Sequence, residues 1–207
     1  MPAKRHPKEP WQKLVSPPEK VLTRIRPGMR IFLGTGLAEP RRFVNALMST
    51  SSANLTDLEL IQLVSLSDVL APEALRGQKY RLKTFFPGKS AHGRITEGAV
   101  DLIPSRFGRI ASLFKSGRIA VDMAVLQVTP PDASGYCSMG VSVDVGRLAM
   151  SQAAIKIGEI NPDVPCTLGD TWVPVSEFDA FMAGTIPLPY LRRPSIDRVH
   201  DTLGANV

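Results

Sequence analysis

The chain has 207 residues, of which 43% are hydrophobic and only 6% are aromatic. That length supports one sizeable core, and the low aromatic content favours an α/β layered protein over a β-sandwich. The net charge of +6 lies in residues 1–30, which hold eight Lys or Arg and two acids, so the rest of the chain is neutral. A neutral body argues against nucleic-acid binding, and the basic end is expected to be a solubilising arm or a segment that packs on a partner.

Cysteine and histidine usage excludes several classes of site. Cys137 and Cys166 do not form a C-x-x-C pair, which indicates neither a zinc nor a redox motif. The three histidines are scattered, so a Ser-His or Cys-His site is poorly supported. The amino terminus lacks an apolar signal core, and no apolar run approaches the roughly 18 residues of a membrane helix. We therefore expect no metal, no membrane span and a reducing cytoplasm.

The first elements read as helix, strand, turn and helix. Ser16 is predicted to cap a short helix, with prolines in its first turn. Residues 29–33 form a short apolar strand, and Gly34-Thr35-Gly36 form the turn after it. Glu39 and Pro40 then open a helix that runs through Met48.

The rest of the chain continues this alternation. Further strands are predicted at 58–64, 80–86, 119–128, 155–160 and 171–175, and further helices at 107–114 and 144–154. Strands that alternate with helices predict an α/β fold with a mostly parallel sheet flanked by helices. A proline-rich segment follows residue 185, and a new helix begins near Ile196. We expect a basic tail at 1–15, one domain at 16–190, and a linker with the start of a missing domain at 191–207.

Four stretches in this order resemble the acetyl-CoA hydrolase/transferase family, of the family I CoA-transferase type. They are residues 31–40, 98–104, 116–144 and 158–181. The run from Ser116 to Asp144 is the most specific, and the resemblance covers about residues 28–190. It implies a CoA-transferase domain related in fold to ribose-phosphate isomerases.

The resemblance also implies a reaction. Members swap CoA between carboxylic acids through a glutamyl-CoA thioester, and their catalytic glutamate lies in the carboxy-terminal domain. The implied substrates are an acyl-CoA and a small carboxylic acid, with coenzyme A entering as substrate rather than as a bound cofactor. No catalytic residue is then expected in this chain, which would be inactive alone. The missing half would lie in the same or another chain, and the assembly is expected to be a homo-oligomer.

The turn Gly34-Thr35-Gly36 is the first candidate for substrate or CoA binding. A glycine turn between a strand and a helix exposes N–H groups that favour anions, although glycine also serves tight turns for its backbone angles alone. Glu39 and Pro40 adjoin this turn. Glu39 could be a nucleophile or a substrate contact, or it could be an acid stabilised by the helix dipole.

Other candidates lie further along the chain. Gly135 and Tyr136 belong to a loop, residues 129–140, at the carboxyl end of a strand, where α/β proteins bind ligands. Arg94 could hold a carboxylate or a CoA phosphate, or be a solvated loop charge. Glu159 lies in a buried strand and needs a partner, for which Lys156 and Arg147 are candidates. Cys137 has no histidine partner and is not expected to be a nucleophile.

Three further expectations complete the analysis. Residues 34–40 and 129–140 should share one edge of the sheet and face an open surface that a second domain would cover. Residues 1–15 should be dispensable for folding. The competing functions are a non-catalytic interaction module, which pairs with a separate chain, and a relative of sugar-phosphate isomerases, which rests on shared fold alone.

Overall fold

The computed structural model describes residues 11–50, 55–66, 80–88, 95, 98, 100–184, 186–188 and 195–206. The described strands are β1 Arg30–Leu33, β2 Leu58–Gln62, β3 Tyr80–Thr84, β4 Val100–Leu102, β5 Met123–Val128, β6 Tyr136–Ser138, β7 Ile155–Ile160, β8 Trp172–Pro174 and β9 Ala180–Ala183. The described helices are α1 Pro18–Leu22, α2 Arg41–Ser49, α3 Phe107–Lys115, α4 Gly146–Gln152 and α5 Arg198–Ala205.

Seven strands form one sheet in the order β4-β3-β2-β1-β5-β7-β9, and every pair in it is parallel. β1 and β5 lie at its centre, in a register that pairs Leu33 with Val125. Strands β6 and β8 form a separate antiparallel pair. The predicted α/β class with a mostly parallel sheet is confirmed.

Helices cover both faces of the sheet. Alternate residues of β1 point to opposite sides, so Ile31 and Leu33 pack with α1 and α2, whereas Phe32 packs with α3 and α4. All six residues of β5 are buried, as expected of a central parallel strand. The core is therefore two apolar layers, one on each side of the sheet.

The structure differs from the sequence predictions in several elements. Helix α1 has Pro17 at its amino-terminal cap, without a side-chain hydrogen bond, so the prediction that Ser16 caps it is wrong. The strand predicted at 171–175 exists as β8 but pairs with β6 outside the main sheet. Strands β4 and β9, of three and four residues, were not predicted from the sequence.

Residues 11–16 pack against the body of the domain. The rings of Trp11 and Phe181 form a T-shaped pair with a centroid distance of 6.5 Å. Val15 forms a parallel bridge with Phe181, and the Ser16 amide donates to the Phe181 carbonyl at 2.8 Å. These contacts argue against the expectation that all of residues 1–15 are dispensable for folding.

Candidate functional site at the carboxyl edge of the sheet

The segments after β1 and β5 leave the sheet at the same edge. The two strands are adjacent and parallel, so residues 34–40 and 129–140 both begin at the carboxyl edge, as predicted. The two segments differ in exposure. Residues 34–36 and 38–40 are buried and Leu37 is half-buried, whereas residues 130–136 are half-buried or exposed. The expectation that residues 34–40 face an open surface is therefore wrong, because other parts of the domain cover them.

Both glycines of the first turn are required by the local geometry. A Cβ on Gly34 would lie 2.4 Å from the carbonyl oxygen of Ala38, and Gly36 has a φ of 58°. Their amides are already used, since Gly34 donates to the Val125 carbonyl and Gly36 to the Val64 carbonyl, both at 2.9 Å. These two N–H groups are thus not the exposed donors that the sequence suggested, and anion binding at this turn stays a prediction.

Glu39 is 1% exposed, and among the described residues Gln62 at the end of β2 and Ser65 just after it hold its carboxylate. Its Oε2 accepts from Gln62 Nε2 at 2.9 Å and from Ser65 Oγ at 2.7 Å. Gln62 Nε2 also donates to the Gly34 carbonyl at 3.1 Å. This carboxylate therefore braces the turn against β2 and is shielded from solvent.

A second buried carboxylate lies two strands away. Gln127 of β5 and Glu159 of β7 are partners in the sheet register, and each is at most 2% exposed. Glu159 accepts from the backbone amides of Arg42 at 3.2 Å and Phe43 at 2.8 Å, in the first turn of α2. Glu159 thus accepts hydrogen bonds from backbone amides in the first turn of α2, which have no partner within the helix.

The predicted partners of Glu159 are wrong. Arg147 pairs instead with Asp170 at 3.8 Å, and the Lys156 amide donates to Asp179. Burial raises the pKa of the Glu159 carboxyl, against the hydrogen bonds from Phe43, Arg42 and Gln127 and the nearby charge of Arg42, which lower it. The start of α2, through the amides of Arg42 and Phe43 and the charge of Arg42, stabilises the carboxylate, and sequence spacing does not reveal this.

The second segment folds into a small hairpin arm. Thr129 donates to the Ser138 carbonyl and Asp132 to the Tyr136 carbonyl, while the Asp132 side chain accepts from Ser134 and Tyr136. Gly135 has a φ of 82°, and the Tyr136 residue is 42% exposed. The hairpin therefore presents an exposed aromatic ring near the edge where the glycine turn lies.

Sequence reasoning missed Asp144. The Asp144 residue is exposed, yet surrounding atoms desolvate its carboxyl and thereby raise its pKa. Hydrogen bonds from the Val145 amide, the Thr35 hydroxyl and the Gly146 amide act in the opposite direction and lower this pKa. Asp144 has a φ of 32° and Ser142 a φ of 56°, values that are uncommon outside glycine and cluster at functional sites. An acid that follows the loop at the carboxyl edge was the available signal.

The remaining candidates do not join this group. Arg94 lies outside the described residues. Burial raises the pKa of the Cys137 thiol to about 12, which keeps it protonated and unreactive near neutral pH. Within the described ranges, no three His, Cys, Asp or Glu residues come together as a metal site. No helix in the described part of the chain is long and apolar enough to cross a membrane.

Solved structures with the same fold define the class. The chain matches RipA from Yersinia pestis with a TM-score of 0.82 at 23% identity, over 91% of this chain and 46% of that one. It matches a 4-hydroxybutyrate CoA-transferase from Porphyromonas gingivalis with a TM-score of 0.67 at 22% identity, over 89% and 43%. The fold is therefore a CoA-transferase-like α/β domain.

The chain belongs to the acetyl-CoA hydrolase/transferase N-terminal domain family, which matches residues 1–191. It is 33% identical over 195 residues to a 4-hydroxybutyrate coenzyme A transferase of Clostridium kluyveri, covering 94% of this chain and 45% of that protein. It is 30% identical to a succinyl-CoA:acetate/propanoyl-CoA:succinate CoA transferase of Fasciola hepatica, covering 87% and 37%. The chain thus spans less than half the length of these relatives.

Proposed function

We propose that this chain is the amino-terminal half of an acyl-CoA:carboxylate CoA-transferase, and that its carboxyl edge forms one wall of a cleft completed by a second half. The family match over residues 1–191 carries this proposal. The relatives are named for reactions between CoA thioesters and carboxylic acids, and each is more than twice as long as the matched region. We place the catalytic glutamate in a second half of similar size.

The proposed reaction proceeds through a glutamate of the second half. Its carboxylate attacks the acyl-CoA carbonyl carbon, the C–S bond breaks, and CoA leaves as a thiolate, giving an acyl-glutamyl anhydride. The thiolate then attacks the glutamyl carbonyl, which releases the first carboxylate and leaves a glutamyl-CoA thioester. An acceptor carboxylate reverses these steps; attack by water would instead make the protein a hydrolase.

The described residues of this chain support a binding role rather than a nucleophilic one. Glu39 and Glu159 are both 1% exposed and engaged by hydrogen bonds, so neither presents a free carboxylate to substrate. Among the described residues, the exposed groups at the carboxyl edge include the hairpin with Gly135 and Tyr136, and the loop with Asp144. We assign substrate contacts to these groups, and the support of the cleft wall to the glycine turn and Glu39.

The test is an exchange assay on the 207-residue chain. Acetyl-CoA or succinyl-CoA is offered with labelled acetate, propanoate, succinate or 4-hydroxybutyrate, and transfer of label into CoA thioester is followed. We expect no turnover from the chain alone, and turnover once a second half is supplied in the same frame or by a neighbouring gene. Turnover by the chain alone at about 1 per second or more would contradict the assignment of the nucleophile to the second half.

The outcome of supplying the second half also tests the alternative function. A complex that forms but transfers no label from any of the donors would favour the non-catalytic interaction module. A matched control is Glu39→Gln in the active complex. Loss of only part of the rate is expected if Glu39 braces the turn, whereas complete loss would point to Glu39 as the nucleophile.

A further inference from the structure

Two phenylalanines form an exposed aromatic surface at the carboxyl edge of the sheet. Phe86 follows β3, and Phe107 begins α3, the helix after β4, so both lie where two parallel strands end. Their rings are stacked, with a centroid distance of 6.1 Å and an interplanar angle of 30°. Phe86 is half-buried, whereas Phe107 is 64% exposed. Phe86 therefore supports the Phe107 ring, most of which is open to solvent.

The backbone around this aromatic surface is held by hydrogen bonds. The Phe86 amide donates to the Leu63 carbonyl at 2.9 Å, and the Ile103 amide donates to the Thr84 carbonyl at 2.8 Å. Phe107 itself lies in the first turn of α3. A flat ligand that stacks on Phe107 would thus meet an ordered surface, which reduces the entropy lost on binding.

Two arginines at the start of α3 give this surface a positive charge. Arg106 and Arg109 are exposed, and a spacing of three residues places them on the same side of the first helical turn. Within the described ranges, neither guanidinium has an ion-pair partner. Guanidinium groups suit phosphate oxygens, which they contact through paired N–H groups. An open aromatic ring next to two unpaired arginines therefore fits a nucleotide, which has a flat base and charged phosphates.

The aromatic surface and the hairpin lie on the same side of the sheet. Phe86 packs on the apolar layer that also contains Cys137 of the hairpin. In the strand order, β3 and β5 are three strand spacings apart, a distance of about 14 Å. CoA has its nucleotide at one end and its thioester at the other, joined by a flexible arm, so one molecule could contact both places.

We propose that Phe107, Arg106 and Arg109 bind the adenine nucleotide end of CoA. The adenine ring stacks on Phe107, and the two guanidinium groups bind the phosphates. The arm of CoA runs from there along the carboxyl edge toward the hairpin. The identity of the ligand rests on the proposed function, whereas Phe107 and the two arginines lie outside the groups to which that function assigns substrate contacts.

A second copy of the chain is the other occupant that an exposed aromatic surface could have. In a two-fold interface the same surface meets itself, which would bring the arginines of the two copies close together. Like charges that face each other across an interface are unfavourable. The charge of this surface therefore favours an anionic ligand over self-association.

Adenosine 3′,5′-bisphosphate is the probe, because it carries the base and two phosphates of this end of CoA and has no thiol. Added to the nitrogen-15-labelled 207-residue chain at physiological ionic strength, it should give saturable shifts of the amides of residues 105–109. Phe107→Leu keeps an apolar side chain without the aromatic ring and should weaken binding at least about fivefold. Arg106→Gln should also weaken binding. Lys115→Gln, the matched control, removes an equal charge at the far end of α3 and should not.

The absence of saturable shifts at residues 105–109 would overturn the proposal, as would equal binding by wild type and Phe107→Leu. Equal weakening by Arg106→Gln and Lys115→Gln would show attraction by net charge alone and would overturn it too. Shifts at these amides that depend on protein concentration and block the probe would assign the surface to a second copy.

The exchange assay separates this subsite from the proposed function. Label transfer by the completed complex without nucleotide binding at Phe107 would leave the function standing and refute the subsite. Nucleotide binding at Phe107 without label transfer would do the reverse.

Discussion

At the scale of single residues, Glu159 shows how burial and a helix start act on one carboxylate. It is 1% exposed, and it accepts from the Arg42 and Phe43 amides. Because burial raises its pKa in the folded state, the folded protein binds the proton more tightly than the unfolded chain does. Ionisation of this group therefore costs stability as pH rises through the unfolded value of about 4.3 toward the raised folded value.

We predict that Glu159→Gln removes this pH dependence. Glutamine keeps an oxygen that can accept from the α2 amides but carries no charge to bury. The stability of the variant relative to wild type should thus be lowest at acidic pH and improve as the pH rises above the unfolded value of about 4.3. Urea unfolding at several pH values measures the difference, and a constant difference across the range would contradict the prediction.

Gly34 gives a second prediction at this scale. A Cβ there would lie 2.4 Å from the Ala38 carbonyl oxygen, and the backbone that carries this oxygen cannot move without disturbing the turn. Gly34→Ala should cost about 1–3 kcal/mol in the free energy of unfolding. The matched control is Gly108→Ala in α3, where no atom lies within 4 Å of the new Cβ and a gain of about 0.5–1 kcal/mol is expected. Equal effects at the two positions would refute the steric argument.

At the scale of elements, sequence patterns located strands and helices whose apolar residues recur at regular spacing. They missed features that depend on tertiary contacts. The strand predicted at 155–160 is β7 residue for residue, and the helix predicted at 107–114 is α3 with one residue more. The helix predicted at 144–154 is shorter, Gly146–Gln152, and begins later because Ser142 and Asp144 hold left-handed backbone conformations. No local pattern in the sequence predicts positive φ at these two non-glycine residues.

The candidate site was likewise predicted only in part: its position followed from the sequence, but its burial and its contacts did not. Parallel strands have their carboxyl ends on one edge, so the shared edge of residues 34–40 and 129–140 follows from strand order alone. Burial of the first segment does not, because it depends on which loops cover it. Likewise Glu39 was found from its place beside the turn, whereas its contacts with Gln62 and Ser65 require the pairing of β1 with β2.

The segment before α1 provides a prediction at the scale of elements. Trp11 packs on Phe181, and residues 15–16 bond to the β9 backbone, so this segment belongs to the folded body. Deleting residues 1–10 should leave the melting temperature nearly unchanged. Deleting residues 1–15 should lower it by roughly 4 °C or more, because apolar contacts and a backbone bridge are lost. Trp11→Ala in the full chain is expected to give part of that loss; equal melting temperatures for the two truncations would contradict the packing.

At the scale of the whole molecule, the neutral body and the basic amino-terminal segment are expected to interact differently with an anionic ligand. CoA carries several negative charges, so the basic residues within positions 1–30 attract it without specificity. A binding surface at the carboxyl edge would instead respond at the hairpin and at the loop before α4, because both contain exposed residues. The buried amides of Gly34 and Gly36 already have carbonyl partners, so they should respond less than Gly135 and Tyr136.

We therefore predict that CoA added to the labelled chain shifts the amides of residues 132–136 and 142–144, and that these shifts persist at raised salt, where nonspecific attraction is screened. The titration is made on Cys166→Ser, because Cys166 is an exposed free thiol that could form a disulfide with CoA. Inorganic phosphate at matched ionic strength is the control, and it should shift only residues of the basic end. Shifts from CoA that are confined to residues 1–30 and vanish with salt would refute a binding surface at this edge.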